Sequence, residues 1–230
     1  MTSGVPSLEV LRTASSKSAR RSVYHHEQGQ NPARFIFITM SKTIFLIPGF
    51  KTQIADAQYR WLVSYLQSKS YIVKAVPVTW NYKTVTENAE EFLEFYFKNK
   101  SAENLILGFS FGAVIALLTA NKTISKEIIL CSLSPDFVED IDVMPEWLKN
   151  YLGKRRLLDI KTRSALKLAE SIDTKLTILY GEKEGAEYPQ LKNRSIETAR
   201  LVTNAELIVV ENAPHDISFP SYQSALKRVV

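Results

Sequence analysis

Short apolar stretches alternate with longer amphipathic stretches along most of the chain. The apolar stretches are rich in Ile, Val and Leu, which is typical of strands buried on both faces of a parallel sheet. The amphipathic stretches repeat their apolar residues every three or four positions, which predicts helices. Strands are predicted at 43–47, 72–78, 104–108, 127–132, 175–180 and 206–210, and helices at 55–69, 85–99, 111–121, 145–152, 161–171, 190–203 and 219–229.

This alternation predicts the fold class. It indicates an α/β protein in which a mostly parallel sheet of about six strands carries helices on both faces. Connections between parallel strands are right-handed, and ligands bind beyond the carboxyl ends of such strands. The loops that follow the predicted strands are therefore the places where functional residues are expected.

The N-terminal part of the chain lacks this pattern. Residues 1–39 are rich in Ser, Arg, Gln and Gly, and Met40 precedes the first clear core strand. Three interpretations stay open: an extension that is not native, with Met40 as the natural start, a flexible native tail, and an Arg- and Ser-rich targeting peptide. We therefore predict a disordered or non-native leader at 1–39 and one folded domain at 40–230.

The composition narrows the possible function classes. With 230 residues, of which 45% are hydrophobic and 23% charged, the chain can bury a sizeable core as one globular domain. Its formal net charge is +5, and three of those five charges come from residues 1–39. The folded domain is thus nearly neutral and has no basic stripe with interleaved aromatic residues, so no nucleic-acid partner is expected.

The cysteine content and the lengths of the apolar stretches set further limits. Cys131 is the single cysteine, which excludes an intrachain disulfide and any cysteine-based zinc site. Because it lies in a predicted strand, we interpret it as a buried and unreactive thiol. No apolar stretch reaches the ~18 residues that a membrane-spanning helix needs. We expect a cytoplasmic protein that is not integral to a membrane.

The segment Gly108–Gly112 (GFSFG) carries the most informative chemical signal. It follows a predicted strand and opens a predicted helix, which is the context of a nucleophile elbow centred on Ser110. The glycines leave space for a tight turn in which the serine adopts a strained backbone conformation. The start of the following helix offers N–H groups and a positive dipole end to a negative charge that forms nearby.

A base and an acid for this serine follow later in the chain. Of three histidines, two lie in the leader, so His215 is the only imidazole of the folded domain, in the loop after strand 206–210. The loop after strand 175–180 carries Glu182 and Glu184. A carboxylate there can fix the imidazole tautomer and stabilise its charged form. The resulting order of serine, acid and histidine is the order found in α/β-hydrolases.

Four segments together resemble the α/β-hydrolase fold superfamily and span most of the chain. Residues 43–50 (TIFLIPGF) are similar to the strand and loop that help to form the oxyanion hole, and GFSFG is similar to the nucleophile elbow. Residues 180–184 (YGEKE) are similar to the end of the strand that carries the acid, and 212–215 (NAPH) are similar to the histidine loop.

The resemblance implies roles for particular residues. It places the acid three residues after the glycine that ends its strand, here Gly181, and therefore at Glu184. It also implies an oxyanion hole formed by the backbone N–H groups of Phe111 and Phe50. The sequence departs from the family pattern at Pro48, which replaces the histidine that is usual in the oxyanion loop. That histidine is not a member of the triad.

The segment 135–173 lies where α/β-hydrolases commonly insert a cap. It holds one apolar patch and is too short for a large lid domain, so we predict a minimal lid. Whether it contacts the substrate or simply packs on the edge of the sheet stays open. Asp136, Asp140 and Asp142 also lie here, and one of them is the alternative to Glu184 as the acid.

These residues predict a serine hydrolase. It would cleave carboxylic esters of small to medium acyl groups through a triad of Ser110, Glu184 and His215 and an acyl-enzyme, without metal or organic cofactor. The expected partner is a small-molecule ester or a related acyl substrate, and the oligomeric state is left open. The alternatives are a thioesterase, an amidase or peptidase, a carbon–carbon hydrolase, and a non-catalytic ligand-binding protein of the same fold. The residues expected to contact the substrate are Gly49, Phe109 and Trp147.

Overall fold

The computed structural model describes residues 41–230. The leader predicted at 1–39 lies outside the described residues. Six strands form one sheet in which every neighbouring pair is parallel, and this confirms the predicted α/β fold class. The strands are β1 (Lys42–Ile47), β2 (Tyr71–Ala75), β3 (Glu103–Phe109), β4 (Glu127–Cys131), β5 (Lys175–Gly181) and β6 (Ala205–Val210), in the sheet order β2-β1-β3-β4-β5-β6.

Helices connect the strands and cover both faces of the sheet. The helix at Val85–Asn99 begins with a capping box. The hydroxyl of Thr84 accepts from the Glu87 amide at 3.2 Å, and the Glu87 carboxylate accepts from the Thr84 amide at 2.8 Å. The helices are α1 (Ala57–Ser68), α2 (Val85–Asn99), α3 (Phe111–Thr119), α4 (Glu146–Ile160), α5 (Ala165–Ala169), α6 (Glu182–Glu187), α7 (Pro189–Leu201) and α8 (Pro220–Val229). None of the helices in residues 41–230 is long and apolar enough to cross a membrane.

The hydrophobic core lies in two layers, one on each side of the sheet. In β1, Phe45 and Ile47 pack with α2, α3 and α5, whereas Ile44 and Leu46 pack with α1 and α8. This alternation follows from the two-residue period of a strand. Each fully buried large apolar side chain of this kind stabilises the fold by about 1.5–3 kcal/mol. The sheet is therefore a rigid platform for the loops at its carboxyl end.

Two helices differ from the sequence-based expectation. The loop predicted after β5 is instead the short helix α6, which begins at Glu182. Helix α4 extends to Ile160 rather than ending near 152, but its backbone is broken at Gly153, where φ is +76°. Only glycine adopts such a φ readily, so the chain changes direction there without steric cost. The cap segment thus consists of a two-part helix followed by α5.

Candidate active site

Ser110 occupies a strained turn between β3 and α3. Its φ is +56° and its ψ is −120°, a conformation that non-glycine residues seldom adopt. The backbone is crowded on both sides, since a Cβ on Gly108 would lie 2.2 Å from the Gly112 carbonyl oxygen, and one on Gly112 would lie 2.3 Å from that of Ile47. The Ser110 amide donates to the Cys131 carbonyl at 2.8 Å. The turn therefore requires its glycines and holds the serine at the carboxyl end of the sheet.

His215 brings its imidazole to this serine from the loop after β6. Its Nε2 lies 3.2 Å from Ser110 Oγ, within hydrogen-bond distance. The ring packs against the Phe109 ring, with 5.0 Å between the centroids, and its edge faces Tyr188. These contacts fix the plane of the imidazole, so that Nε2 can accept the serine proton when Nδ1 carries a hydrogen.

Glu184 supplies the carboxylate that faces Nδ1 of this imidazole. Its side chain is completely buried, and its Oε1 is hydrogen bonded to His215 Nδ1. Its other oxygen, Oε2, accepts from the Ser132 hydroxyl at 2.9 Å and from the Gly181 amide at 2.8 Å. The neighbouring Glu182 is exposed and accepts instead from the Asn212 amide at 3.0 Å. The structure thus brings Ser110, His215 and Glu184 together and leaves Glu182 apart.

Ser132 is a residue of this site that the sequence did not indicate. It follows β4 with φ at +55°, is fully buried, and lies 3.0 Å from Tyr222 Oη as well as next to Glu184. Burial, together with the nearby Cys131 and Glu184, raises the pKa of Tyr222 well above its ordinary value, so this phenol stays protonated. Its hydroxyl donates to the Leu179 carbonyl at 3.2 Å. Ser132 therefore links the acid to α8.

The three aspartates that were alternatives for the acid have other partners. Asp136 forms a buried ion pair with Arg163, and Asp140 forms one with Arg194 at 2.7 Å. Asp142 is exposed. Burial raises the pKa of Asp136 and of Asp140, and the neighbouring guanidinium opposes that shift in each case. None of the three has a hydrogen bond to His215. The Asp136–Arg163 pair joins two parts of the cap segment, and the Asp140–Arg194 pair ties that segment to α7.

Of the two amides expected to form an oxyanion hole, that of Phe50 lies in the loop after β1 and that of Phe111 at the first residue of α3. The Gly49 amide donates to Tyr59 Oη at 3.0 Å, and the Gly49 carbonyl accepts from the Thr52 hydroxyl at 3.0 Å. The amides of Phe50 and Phe111 have no hydrogen-bond acceptor among residues 41–230. Their rings pack against each other with 5.3 Å between centroids. Both N–H groups are therefore free to bind an anionic oxygen.

An apolar cavity of about 340 Å³ opens above Ser110 and His215. Trp147 lies on its wall, although 69% of the side chain is exposed. Gly49 and Phe109, which were expected to contact the substrate, do not line this wall: both are buried, and Phe109 lies against the imidazole ring. The outer wall of the cavity is formed by the cap segment and consists mainly of Val143, Met144, Pro145, Trp147, Leu148 and Leu152.

Two further side chains concern the chemistry of this region. Ser134 lines the cavity, and its Oγ lies 3.2 Å from Ser110 Oγ, so it is a second partner for the serine hydroxyl that the sequence did not indicate. Cys131 is buried beneath the site, and burial raises the pKa of its thiol far above the ordinary value. Within residues 41–230, no group of His, Cys, Asp and Glu side chains is arranged to hold a metal ion.

Comparisons with known proteins agree on the fold. No family model matches the sequence, and no curated protein sequence matches it. Solved structures do: Est1E from Butyrivibrio proteoclasticus has a TM-score of 0.67 at 14% identity, covering 83% of this chain and 85% of its own. Alpha/beta hydrolase domain-containing protein 10 from mouse has a TM-score of 0.64 at 11% identity, covering 81% and 87%. An esterase from Pyrococcus furiosus has a TM-score of 0.62 at 18% identity, covering 83% and 80%. The chain has the α/β-hydrolase fold.

Proposed function

From this fold and from the contacts around Ser110, we propose that the protein is a serine hydrolase that cleaves carboxylic esters of small to medium acyl groups. The observation that carries the proposal is the continuous hydrogen-bonded series from the buried Glu184 through His215 to Ser110. An acid, an imidazole and a hydroxyl in this arrangement form the constellation that activates a serine nucleophile. The strained turn at Ser110 adds support, because backbone strain of this kind clusters at active sites.

The first half of the proposed reaction acylates the serine. His215 Nε2 accepts the proton of Ser110 Oγ as that oxygen attacks the ester carbonyl carbon, and Glu184 stabilises the imidazolium that results. The carbonyl oxygen becomes an oxyanion and accepts hydrogen bonds from the amides of Phe50 and Phe111. The bond to the alcohol oxygen then breaks, and the proton held on Nε2 passes to the leaving alcohol.

The second half returns the enzyme to its starting state. A water gives a proton to His215 Nε2 while its oxygen attacks the carbonyl carbon of the acyl-enzyme. The same two amides stabilise the second oxyanion, and the proton on Nε2 returns to Ser110 Oγ as the carboxylic acid leaves. An interaction that strengthens only as the oxyanion forms raises the turnover rate, and one such donor contributes about 10²–10³-fold.

The apolar cavity supports the choice of acyl group. Its volume of about 340 Å³ is near the lower end of the range of about 300–1,000 Å³ that is typical of small-molecule sites. The cap residues that line it offer hydrocarbon surface and no free charge. Short and medium acyl chains bury most of their surface in such a space, whereas long chains would extend past Trp147 into solvent.

Covalent labelling with a fluorophosphonate probe tests the nucleophile. The intact protein should be labelled, and Ser110→Ala should lose the label and at least ~10³-fold of its esterase activity while keeping its melting temperature. Ser134→Ala is the matched control, since it removes a hydroxyl only 3.2 Å from that of Ser110 and should still be labelled. Labelling of the Ser110→Ala protein would assign the nucleophile to another residue, and no labelling of the intact protein would support a ligand-binding protein of the same fold instead.

A substrate panel tests the bond that is cleaved and the acyl length. The panel contains p-nitrophenyl esters from acetate to palmitate, a butyryl thioester and a butyryl amide. Methyl ferulate is added because one structure of Est1E contains ferulic acid. We expect the highest kcat/KM for esters of short to medium chains. A maximum for the thioester, the amide or palmitate would contradict the proposed substrate class.

A further inference from the structure

A second cleft, of about 590 Å³, lies beside the candidate active site and is rich in cations. Three chain segments at the carboxyl end of the sheet build it: the loop after β1, the loop after β2 and the break in α4. No carboxylate is among its lining residues. Its positively charged side chains are Lys51, Lys154, Arg155 and Arg156.

The positive charge of this cleft is largely uncompensated. Lys51, Lys154 and Arg156 form no ion pair with any carboxylate of residues 41–230, whereas Arg155 pairs with Glu87. Lys51 Nζ donates to the hydroxyl of a tyrosine at 2.8 Å, and Arg156 donates to backbone carbonyls at the end of the loop after β2. Neutral acceptors hold these cations in place without cancelling their charge. A cleft lined by positive charges raises the local concentration of anions.

Aromatic side chains form the remaining surface of the cleft. Tyr82 is 89% exposed and Tyr151 is 53% exposed, so large flat surfaces face solvent there. Tyr82 also has φ at +60°, although it is neither glycine nor buried. Strained residues with few contacts of their own cluster at ligand-binding segments. Lys51 Nζ lies 5.2 Å from the Phe50 ring and 5.4 Å from the Tyr151 ring, which keeps its ammonium group at the wall of the cleft.

The cleft adjoins the candidate active site through two side chains. Phe50 lines the cleft, its ring packs on that of Phe111, and its amide is one of the two proposed oxyanion donors. Leu152 lines both the cleft and the apolar cavity above Ser110. An ester whose carbonyl oxygen binds the Phe50 amide therefore has the basic cleft within reach of one of its ends.

We propose that this cleft binds an anionic group, a phosphate or a carboxylate, carried by the substrate. The inference rests on the serine hydrolase function proposed above and specifies its substrate class. Both groups present several acceptor oxygens, which suit the ammonium groups of Lys51 and Lys154 and the remaining N–H donors of the Arg156 guanidinium. The anionic group is bound at a point of the substrate that is remote from its reacting carbonyl. It therefore contributes to binding and orientation, while the triad performs the bond cleavage.

Titration calorimetry on the full-length Ser110→Ala protein tests the cleft without any turnover. The probes are phenyl phosphate, benzoate and the neutral benzyl alcohol, in buffer of low ionic strength. We expect one or both anions to bind with a Kd below about 1 mM and benzyl alcohol to bind at least ~10-fold more weakly. The order of the two anions shows whether phosphate or carboxylate is preferred.

Charge-removing variants locate the binding. Lys51→Gln with Lys154→Gln, in the same Ser110→Ala background, should raise the Kd of the better anion at least ~10-fold. The matched control is Lys42→Gln with Lys69→Gln, two lysines that also lie near tyrosine rings but outside the cleft, and it should shift the Kd by less than about twofold. No anion binding to the protein, or equal losses in the two double variants, would overturn the proposal. Melting temperatures verify that both double variants fold.

A kinetic comparison in the active protein links the cleft to the substrate. The substrates are phenyl butyrate and 4-carboxyphenyl butyrate, which differ only in a carboxylate on the alcohol part, the end of the ester that lies away from the apolar cavity. The ratio of their kcat/KM values, anionic over neutral, should fall at least ~10-fold in Lys51→Gln with Lys154→Gln and stay constant in the lysine control. A constant ratio in both would show that the cleft does not serve the substrate and would overturn the inference. If neither ester is hydrolysed by the intact protein, the function proposal fails while the calorimetric result still stands.

Discussion

The carboxyl group of Glu184 lies in the interior of the protein, and both of its oxygens have hydrogen-bond partners. A buried carboxylate without partners is costly, by several kcal/mol after relaxation. Here Oε2 is held by Ser132 and Gly181, which leaves Oε1 directed at His215 Nδ1. The two donors on Oε2 thus define where the imidazole must stand. Because both of its oxygens are held in this way, Glu184 acts on Ser110 only through His215, which lies between them.

The two glutamates at the start of α6 provide a matched test of the acid. Glu184→Gln should lower kcat by on the order of 10⁴-fold, because an amide favours the wrong imidazole tautomer. Glu182→Gln should change kcat by less than about twofold, since its side chain is exposed and an amide oxygen can still accept from Asn212. Steady-state kinetics with p-nitrophenyl butyrate measures both. Equally small effects of the two changes would contradict the role given to Glu184.

His215 is the proposed base because its Nε2 lies 3.2 Å from Ser110 Oγ. His215→Ala should lower kcat/KM at least ~10³-fold, since the serine proton then has no acceptor. Steady-state kinetics with p-nitrophenyl butyrate measures the loss, and the melting temperature verifies that the variant folds. Activity close to that of the intact protein would mean that another group acts as the base.

Local sequence signals identified the residues that the structure brings together around Ser110, but not their supporting contacts. Ser132 and Ser134 stand in a loop without any short motif, and only the folding of β4 beside β3 and β5 brings them to the site. Phe109 was expected to contact the substrate. As the last residue of β3 it instead points into the core layer that contains α1 and α8, where it supports the His215 ring.

At the scale of elements, two glycines occupy turns with different steric demands. Gly108→Ala would place a Cβ 2.2 Å from backbone atoms and should cost at least ~3 kcal/mol. Gly153→Ala meets no atom within 4 Å, so only its backbone conformation, with φ at +76° and ψ at +164°, opposes the change, at about 1–3 kcal/mol. Thermal melting measures both, with about 2–4 °C expected per kcal/mol. A larger loss of Tm for the Gly153 variant would show that α4 is packed more tightly at its break than described.

Helices and strands were predictable to different degrees for a physical reason. Buried strands such as β3 and β5 are continuous apolar runs, and their predicted bounds differ from the observed ones by one residue. The sequence of α6, EKEGAE, contains a glycine and no apolar period, so it resembled a loop. It is helical because Glu184 must be buried beside β5, with its carboxylate on the Gly181 amide. Tertiary contacts, rather than propensity, decide the conformation of such a short segment.

At the scale of the whole molecule, residues 41–230 contain six paired strands and a core layer on each side of the sheet. A protein that begins at Met40 should therefore keep its melting temperature within about 2 °C and its kcat/KM within about twofold. Differential scanning calorimetry and ester hydrolysis compare it with the full chain. A large fall in Tm after truncation would mean that residues 1–39 contribute stabilising contacts.

The order of the strands in the sheet also bears on how the chain folds during its synthesis. After β1 and β2 pair, β3 joins the free side of β1, and β4, β5 and β6 then follow one another outward. No strand has to enter between two that are already paired. A nascent chain can therefore enlarge its sheet at one growing edge as the ribosome releases each strand. His215 lies beyond β6, so the proposed base leaves the exit tunnel only after all six strands.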